Sequence, residues 1–245
     1  MEKKDIICVI PARSGSKGVP NKNILSIAGF PLLAFSIAAA KNCKFISRII
    51  VSTDSQEYAE IATDLGAEVP FIRPKDISGD QSTDLEFFKH LISFIESNES
   101  FVPDYLVHLR PTTPLRDPSI LDLALNEFVG STFSALRSCH SMSESAYKSF
   151  EVEDGKLKRI FSQDPDVEGS NFSRQTFPIT YEANGYVDIV RSENIVQNGK
   201  LHGSNVKAFL TERAYEIDQE SDLEYIKYLV QKEPKYLKLL GIQIL

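Results

Sequence analysis

A short apolar run near the start, residues 6–10 (IICVI), breaks abruptly into PARSGSKGVPNKNI. The run reads as a buried strand. Pro11 has no N–H to offer, so a simple continuation of the ladder stops there. The loop beyond it interleaves Arg13, Lys17 and Lys22 with Ser14, Gly15, Ser16 and Gly18. Glycine lets backbone approach a ligand closely, and successive free N–H groups make an anion-binding concavity. The three cations are spaced too widely for one helical face. They converge only if the loop wraps around something, and a polyphosphate has the matching chemistry. Neither the glycine-lysine-serine/threonine P-loop nor the G-x-G-x-x-G dinucleotide fingerprint is present, and an ordinary basic surface loop is the alternative.

Beyond the loop, the apolar pattern alternates between helical and strand periods. Residues 31–40 (PLLAFSIAAA) have the apolar density of a helix packed on a sheet, with Pro31 suited to its first turn. Residues 48–52 (RIIVS) are a β-branched strand, and Asp54 with Glu57 fits a capping box ahead of a helix over 57–65. Asp54 is therefore a cap before it is a ligand. Gly66 stops that helix and residues 69–72 give another short strand. This order predicts right-handed crossovers and a doubly wound, mostly parallel α/β sheet. Residues 73–84 (RPKDISGDQSTD) form a polar loop before a helix from about 85 to 96, whose start Ser82, Thr83 and Asp84 can cap. Helix N-termini also attract phosphate, so capping and ligand roles can coexist.

Residues 105–109 (YLVHL) are a fourth buried strand, running into RPTTPLRDP. Two prolines pin that turn, and Arg110, Arg116, Thr112 and Thr113 are expected to project from it. Open α/β sheets place ligands at this carboxyl edge. Asp117 and Pro118 then begin a helix as cap and first residue. A strand over 133–138 is followed by a polar stretch, 139–182, with few long apolar runs. Within it Glu153-Asp154-Gly155-Lys156 is a hairpin turn between 147–152 and 157–161. A strand over 183–190 is introduced by Asn184-Gly185, residues that turns prefer. Residues 214–218 (AYEID) read as a short strand with Glu216 and Asp218 on one face. Two such carboxylates repel unless a cation lies between them, and Mg²⁺ takes oxygen ligands of this kind. The last helix, 221–231, starts with a Ser221–Glu224 capping box, leaving Asp222 as a first-turn acid.

With 245 residues, the chain is long enough for one large α/β domain with an inserted arm. A net charge of −7 argues against broad binding of nucleic acid or anionic membrane, and makes the cations after residue 10 a local feature. No apolar stretch approaches a membrane span and no signal-peptide core opens the chain. Three separated cysteines without a C-x-x-C fit a reducing, cytoplasmic compartment, and the four histidines have no metal-ligand spacing.

The run IPARSGSKGVPNKNI closely resembles the first signature of the CMP-sialic acid synthetases, the acylneuraminate cytidylyltransferases. Ser14 replaces a usual glycine. The segment LRPTTPLR is similar to the same family's leucine-glutamine-proline-threonine-serine-proline-leucine-arginine motif, with Arg110 in place of the glutamine. Arg174-Gln175, Asn184-Gly185 and the acidic strand tip occur in the family's order, Glu216 replacing an aspartate. The resemblance implies a nucleotidyltransferase domain spanning 1–245, in which 139–182 is an arm that reaches across a homodimer. It implies transfer of CMP from CTP to the anomeric hydroxyl of a nonulosonic acid, with release of pyrophosphate. Lys22, Arg13 and Asp218 would be catalytic. Ala12, Arg13, Ser14, Ser16, Lys17, Lys22, Asn23, Arg73, Asp80 and Ser82 would bind CTP. Arg110, Thr112, Thr113, Lys148, Arg174, Gln175 and Asn184 would bind the sugar acid, with a turn role equally open for Asn184. Asp218 and Glu216 would hold Mg²⁺. Arginine in place of glutamine points away from plain N-acetylneuraminate. A different acceptor, such as Kdo or a sugar phosphate, or a catalytically silent nucleotide-binding protein, are the rival readings.

Overall fold

The first apolar run becomes β1 (Ile6–Pro11), and both of its faces are covered. Ile6, Cys8 and Ile10 belong to one apolar cluster and Ile7 and Val9 to another. Successive side chains of a strand point to opposite faces, so a strand without polar alternation needs a layer on each side. The computed structural model, which describes residues 4–15, 18–162, 166–233 and 235–241, supplies both layers.

After β1 the chain makes two short strands, β2 (Ser26–Ile27) and β3 (Phe30–Pro31), and then α1 (Leu32–Lys41). It continues through β4 (Arg48–Ser52), α2 (Gln56–Asp64), α3 (Asp84–Glu99), β5 (Tyr105–His108), α4 (Pro118–Phe128) and β6 (Ala135–Ser141). A hairpin, β7 (Phe150–Glu153) and β8 (Lys156–Arg159), precedes the long β9 (Tyr181–Arg191). The chain closes with α5 (Ser192–Asn198), β10 (Val206–Leu210), α6 (Glu220–Lys232) and α7 (Lys235–Leu239). The main sheet has the order β10-β6-β9-β5-β1-β4. Its pairings are parallel except at β9, which runs antiparallel to both β5 and β6. This is the doubly wound, mostly parallel α/β fold that the alternation of elements implies.

Helices α1 and α4 cover one face, where Leu33, Ile37, Leu121, Leu125 and Phe128 meet Cys8, Ile10 and Val107. Helix α3 covers the other, setting Phe87, Phe88, Leu91, Ile92 and Ile95 against Ile7, Val9 and Leu106. Helix α6 packs Leu223, Ile226 and Val230 on Leu32 and Phe35. No helix among the described residues is long and apolar enough to cross a membrane.

Several elements differ from their sequence-based expectation. Residues 69–72 form no strand, only isolated bridges Ile50↔Glu68 and Thr53↔Ile72, because Pro70 cannot donate to a ladder. Residues 214–218 are likewise irregular; Ile217 N–H donates to Thr112 O at 2.8 Å without starting a ladder. The carboxylates of Glu216 and Asp218 are therefore not aligned by strand geometry. Pro31 precedes α1 as its cap residue instead of sitting in its first turn. Ser55, not Asp54, caps α2, its hydroxyl accepting from Tyr58 N. Gln219 and Asp222, not Ser221 and Glu224, make the box at the start of α6. The hairpin turn forms where expected: Asp154 and Gly155 both have positive φ, 51° and 74°, as a two-residue turn matched to strand twist requires. Asn184-Gly185 lies inside β9, where the register with β6 shifts between Arg137 and Cys139. Such a bulge re-aims the backbone.

Candidate active site

The loop after β1 is pinned before it reaches any ligand. Ala12 is buried and its N–H donates to Ser52 O at 2.9 Å. Ser14 gives both its N–H and its hydroxyl to the carboxylate of Asp54, at 2.8 and 3.0 Å. Asp54, released from capping α2, is thus a brace for the loop. Ala12 and Ser14 do not line the cleft, and Ser16 and Lys17 lie outside the described residues. Asn23 donates from Nδ2 to Arg13 O at 2.9 Å, which orders the loop's return. Lys22 Nζ donates to Ile217 O at 2.5 Å and lies 3.4 Å from Asp218 Oδ1. Gly18 sits directly against the Asp218 carbonyl, so any side chain there would collide with backbone. Two segments about two hundred residues apart are locked together at Lys22 and Asp218.

These contacts form one wall of a cleft of about 550 Å³ that carries Arg13, Lys22, Asn23, Arg73, Asp80, Ser82, Arg110, Thr112 and Asp218. It opens beyond the carboxyl ends of β1 and β5, where open α/β sheets bind ligands. Arg13 Nη1 donates to Asp80 Oδ1 at 2.8 Å across the cleft. Ser82 Oγ accepts from Gly79 N at 2.9 Å and shapes the loop before α3, while Thr83 and Glu86 cap that helix. Arg73 forms part of the floor, only 4% exposed, with its guanidinium over the Phe87 ring and a bond to Ser52 O. Its Nε is buried without a hydrogen-bond partner among the described residues. Burial pulls Arg73 down to about 10, opposed by Asp54 and Asp84 and reinforced by Arg13. An incompletely compensated guanidinium at the bottom of a cleft favours an anionic or carbonyl ligand.

The turn after β5 is held from below. Arg116, expected to project, is instead fully buried: Nε donates to Tyr186 O at 2.6 Å, Nη1 to Ser36 Oγ at 3.0 Å, and Nη2 to Arg110 O and Gly185 O, both at 2.9 Å. Among the described residues no carboxylate is bonded to it, and burial lowers it to about 10, opposed by Tyr186, Cys8 and Glu216 and reinforced by Arg110. It clamps the β9 bulge to the Arg110–Arg116 turn. Thr113 is buried beside Gly185 and does not reach the cleft. Thr112 does, its hydroxyl donating to Glu216 Oε1 at 2.9 Å.

A second pocket, about 290 Å³, adjoins the first at Asp218 and is lined by Glu216, Asp222, Asn184, His140, Arg213 and others. Asp222 accepts from the N–H groups of Asp218 and Gln219, both at 3.0 Å, and these bonds hold its carboxyl below the usual range. It fixes the Asp218 backbone. The Asn184 amide serves the fold, donating to Thr211 Oγ1 at 2.7 Å and accepting from Tyr186 N at 3.2 Å. Asp218 and Glu216 share this pocket, but only Asp218 faces the large cleft. Among the described residues no group of three or more His, Cys, Asp or Glu is placed to hold a metal. Two carboxylates still suit Mg²⁺, which is commonly bound by one or two carboxylates together with substrate phosphates.

The arm residues stand apart. Arg174 Nη2 donates to Met142 O at 2.9 Å, and Arg174 and Gln175 line a separate hollow with Phe177 and Ile179. Lys148 lines neither cleft. Sequence reasoning read Asp84 and Asp222 only as helix-start acids and Asp54 as a cap, expected Arg116 to project, and did not single out Asp188. For Asp188 a signal existed: an acid inside the apolar run YVDIV implies a buried partner.

A cytidylyltransferase family profile matches residues 7–242. The chain is 31% identical over 94% of its length to a post-translational flagellin modification protein B of Campylobacter coli, covering 96% of that protein. It is 30% identical over 92% of its length to a CMP-N,N'-diacetyllegionaminic acid synthase of Campylobacter jejuni, covering 95% of it. An N-acylneuraminate cytidylyltransferase of Escherichia coli matches at 30% over 93% of the chain, which spans 52% of that longer protein. A solved CMP:2-keto-3-deoxy-manno-octonic acid synthetase complexed with CTP shares the fold, with a TM-score of 0.68 at 17% identity over 94% of this chain and 99% of that one. A nucleotide-sized cleft built on the signature loop, a profile spanning almost the whole chain and relatives matched nearly end to end agree: the chain belongs to the cytidylyltransferase family, in the CMP-sialic acid synthetase group, and is a CTP-dependent nucleotidyltransferase.

Proposed function

We propose that this enzyme transfers CMP from CTP to the anomeric hydroxyl of a nonulosonic acid of the sialic, legionaminic or pseudaminic type. The observation that carries the reading is that one cleft is lined by Arg13, Lys22 and Arg73 together with the hydrogen-bonding turn Arg110–Thr112 and Asp218. The hydroxyl oxygen attacks the α-phosphorus, its proton is taken up by the departing pyrophosphate or by water, the bond from the α-phosphorus to the bridging oxygen breaks, and pyrophosphate leaves with the electron pair. Arg13 exchanges Asp80 for the triphosphate. Lys22, anchored on Ile217 O, presents its charge to the α-phosphate as negative charge builds there. Transfers of this kind depend mainly on positioning and charge stabilisation. Asp218, with Glu216, would hold Mg²⁺, which supplies charge neutralisation at the phosphates. Thr112 keeps Glu216 in place.

The arm is read as a dimer contact. Val152, Leu157, Phe161, Phe172 and Ile179 are all more than half exposed, an unusual density of large apolar groups for a free surface. In such a dimer Arg174, Gln175 and Lys148 would be offered to the neighbouring cleft. The same reading puts the enzyme in the cytoplasm, in keeping with three cysteines that are all unpaired.

Pyrophosphate release from purified protein with CTP, Mg²⁺ and a panel of nonulosonic acids, beside Kdo and sugar phosphates, tests the reading. Release with CTP and one nonulosonic acid is expected. Release only with Kdo or a sugar phosphate would replace the acceptor, and CTP binding without release from any acceptor would make the protein a silent binder.

A further inference from the structure

Arg110 stands at the carboxyl end of β5 on the cleft wall, its side chain 21% exposed. Both of its Nη groups are already engaged: Nη1 donates to Asp188 Oδ2 and Nη2 to Asp84 Oδ2, each at 2.9 Å. Asp188 comes from β9 and is almost fully buried, and its other oxygen lies 3.4 Å from Arg137 Nε on β6. Asp84 is the first residue of α3. Behind them His108 is buried against Phe87 and Phe88, its Nδ1 3.8 Å from Asp84 Oδ2. Burial, with the neighbouring guanidiniums of Arg110, Arg116 and Arg137, keeps its imidazole uncharged. Burial and Arg137 shift His202 in the same direction.

Around Arg110 itself, then, both terminal nitrogens are matched by carboxylates, one of which also lies against Arg137. A substrate carboxylate arriving at Arg110 would meet a guanidinium already paired with acids. At the two N–H groups already committed it could bond only by displacing an acid and giving up a charge-assisted contact of equal quality. A guanidinium has five N–H donors in a fixed fork, and Asp84 and Asp188 take two of them. The others are suited to an oxygen that brings no charge.

We infer that Asp84 and Asp188 are positioning residues that neutralise and aim Arg110, so that it reads an uncharged oxygen of the acceptor and not the acceptor's carboxylate. The inference rests on the function proposed above. The oxygen is an amide carbonyl or a hydroxyl, and both offer the same lone-pair acceptor. Asp84 is half-exposed at a helix start, so Asp84→Asn keeps the side-chain shape without opening the core, and circular dichroism checks the fold.

The test compares unmodified enzyme with Asp84→Asn at saturating CTP, varying the nonulosonic acid that supports turnover. Misaimed donors should raise the acceptor KM about tenfold, the scale of one lost hydrogen bond, with the KM for CTP nearly unchanged. If Arg110 clamps the carboxylate, removing Asp84's charge frees a cation and the acceptor KM falls. A fall, or no change, overturns the inference. Arg110→Gln, which keeps a neutral donor, should cost about tenfold in kcat/KM for the acid, and a loss beyond about a hundredfold would require the charge and overturn it. Comparing an N-acylated acid with its deaminated, hydroxyl-bearing analogue separates the two oxygens: the variant's effect persists only for the acid whose oxygen Arg110 touches. Calorimetric titration of the acid into unmodified enzyme with a non-hydrolysable CTP analogue guards the premise. An acid that binds but ignores Asp84→Asn sinks this inference alone, whereas no binding of any acid sinks the proposed function.

Discussion

Lys22 shows how much one side chain can depend on distant chain. Its side chain is only 12% exposed, its ammonium held by Ile217 O and close to Asp218, so it is a fixed charge and not a wandering surface lysine. Lys22→Ala should lower kcat by about 10²–10³, the usual loss for one transition-state donor, while the KM for CTP changes far less. Equal losses in steady-state kinetics would make Lys22 a simple binding group. Asp218→Asn should remove most activity at ordinary magnesium and recover part of it at high magnesium; normal activity would take Asp218 out of the site. The cations of the signature loop were legible because phosphate chemistry restricts residue types. The employment of Ser14 by Asp54 was not, because both residues read equally well as capping or ligand groups until their distance is known.

At the scale of elements, α3 links stability to the site. Its first turn supplies Asp84 to Arg110, its second places Phe87 beneath Arg73, and the rest buries Phe88, Leu91, Ile92 and Ile95 on the sheet. Phe88→Ala should destabilise the fold by about 3–5 kcal/mol, measured by urea unfolding, because truncating a buried ring leaves a cavity as well as losing transfer energy. A cost below about 1 kcal/mol would show that the face repacks. The long apolar-periodic helix α3 was readable to within a few residues at both ends, and α4 at its start. The irregular 214–218 segment was not, since five residues with mixed pattern fit a strand as well as a loop. The β9 bulge was equally hidden. Gly185 has φ +62° and lies so close to Thr113 Oγ1 that a Cβ would sit 3.0 Å from it, a constraint imposed by packing and not by the local dipeptide.

For the whole molecule, the test of the proposed dimer lies in the arm, where large apolar side chains are exposed. Phe161→Glu with Phe172→Glu should shift a dimer toward monomer in light scattering and lower turnover together. A wild-type monomer with full activity would remove the dimer from the mechanism. The periodic apolar pattern alone determined the α/β class, because strands buried on both faces and helices with one apolar side leave few ways to exclude water. The loop chemistry pointed to phosphate as the expected ligand class, ahead of an ordinary basic surface loop, because clustered cations and glycines stand out in an acidic chain. Tertiary structure alone decided which charged groups face a ligand and which face each other. Arg110 and Arg116 differ by six positions in one turn, yet one borders the cleft between two carboxylates and the other is sealed under backbone carbonyls. The physical reason is that burial and pairing of a charge depend on residues brought close by the sheet, Asp188 and Gly185 from β9 and Asp84 from α3, whose separation along the chain carries no record of their separation in space.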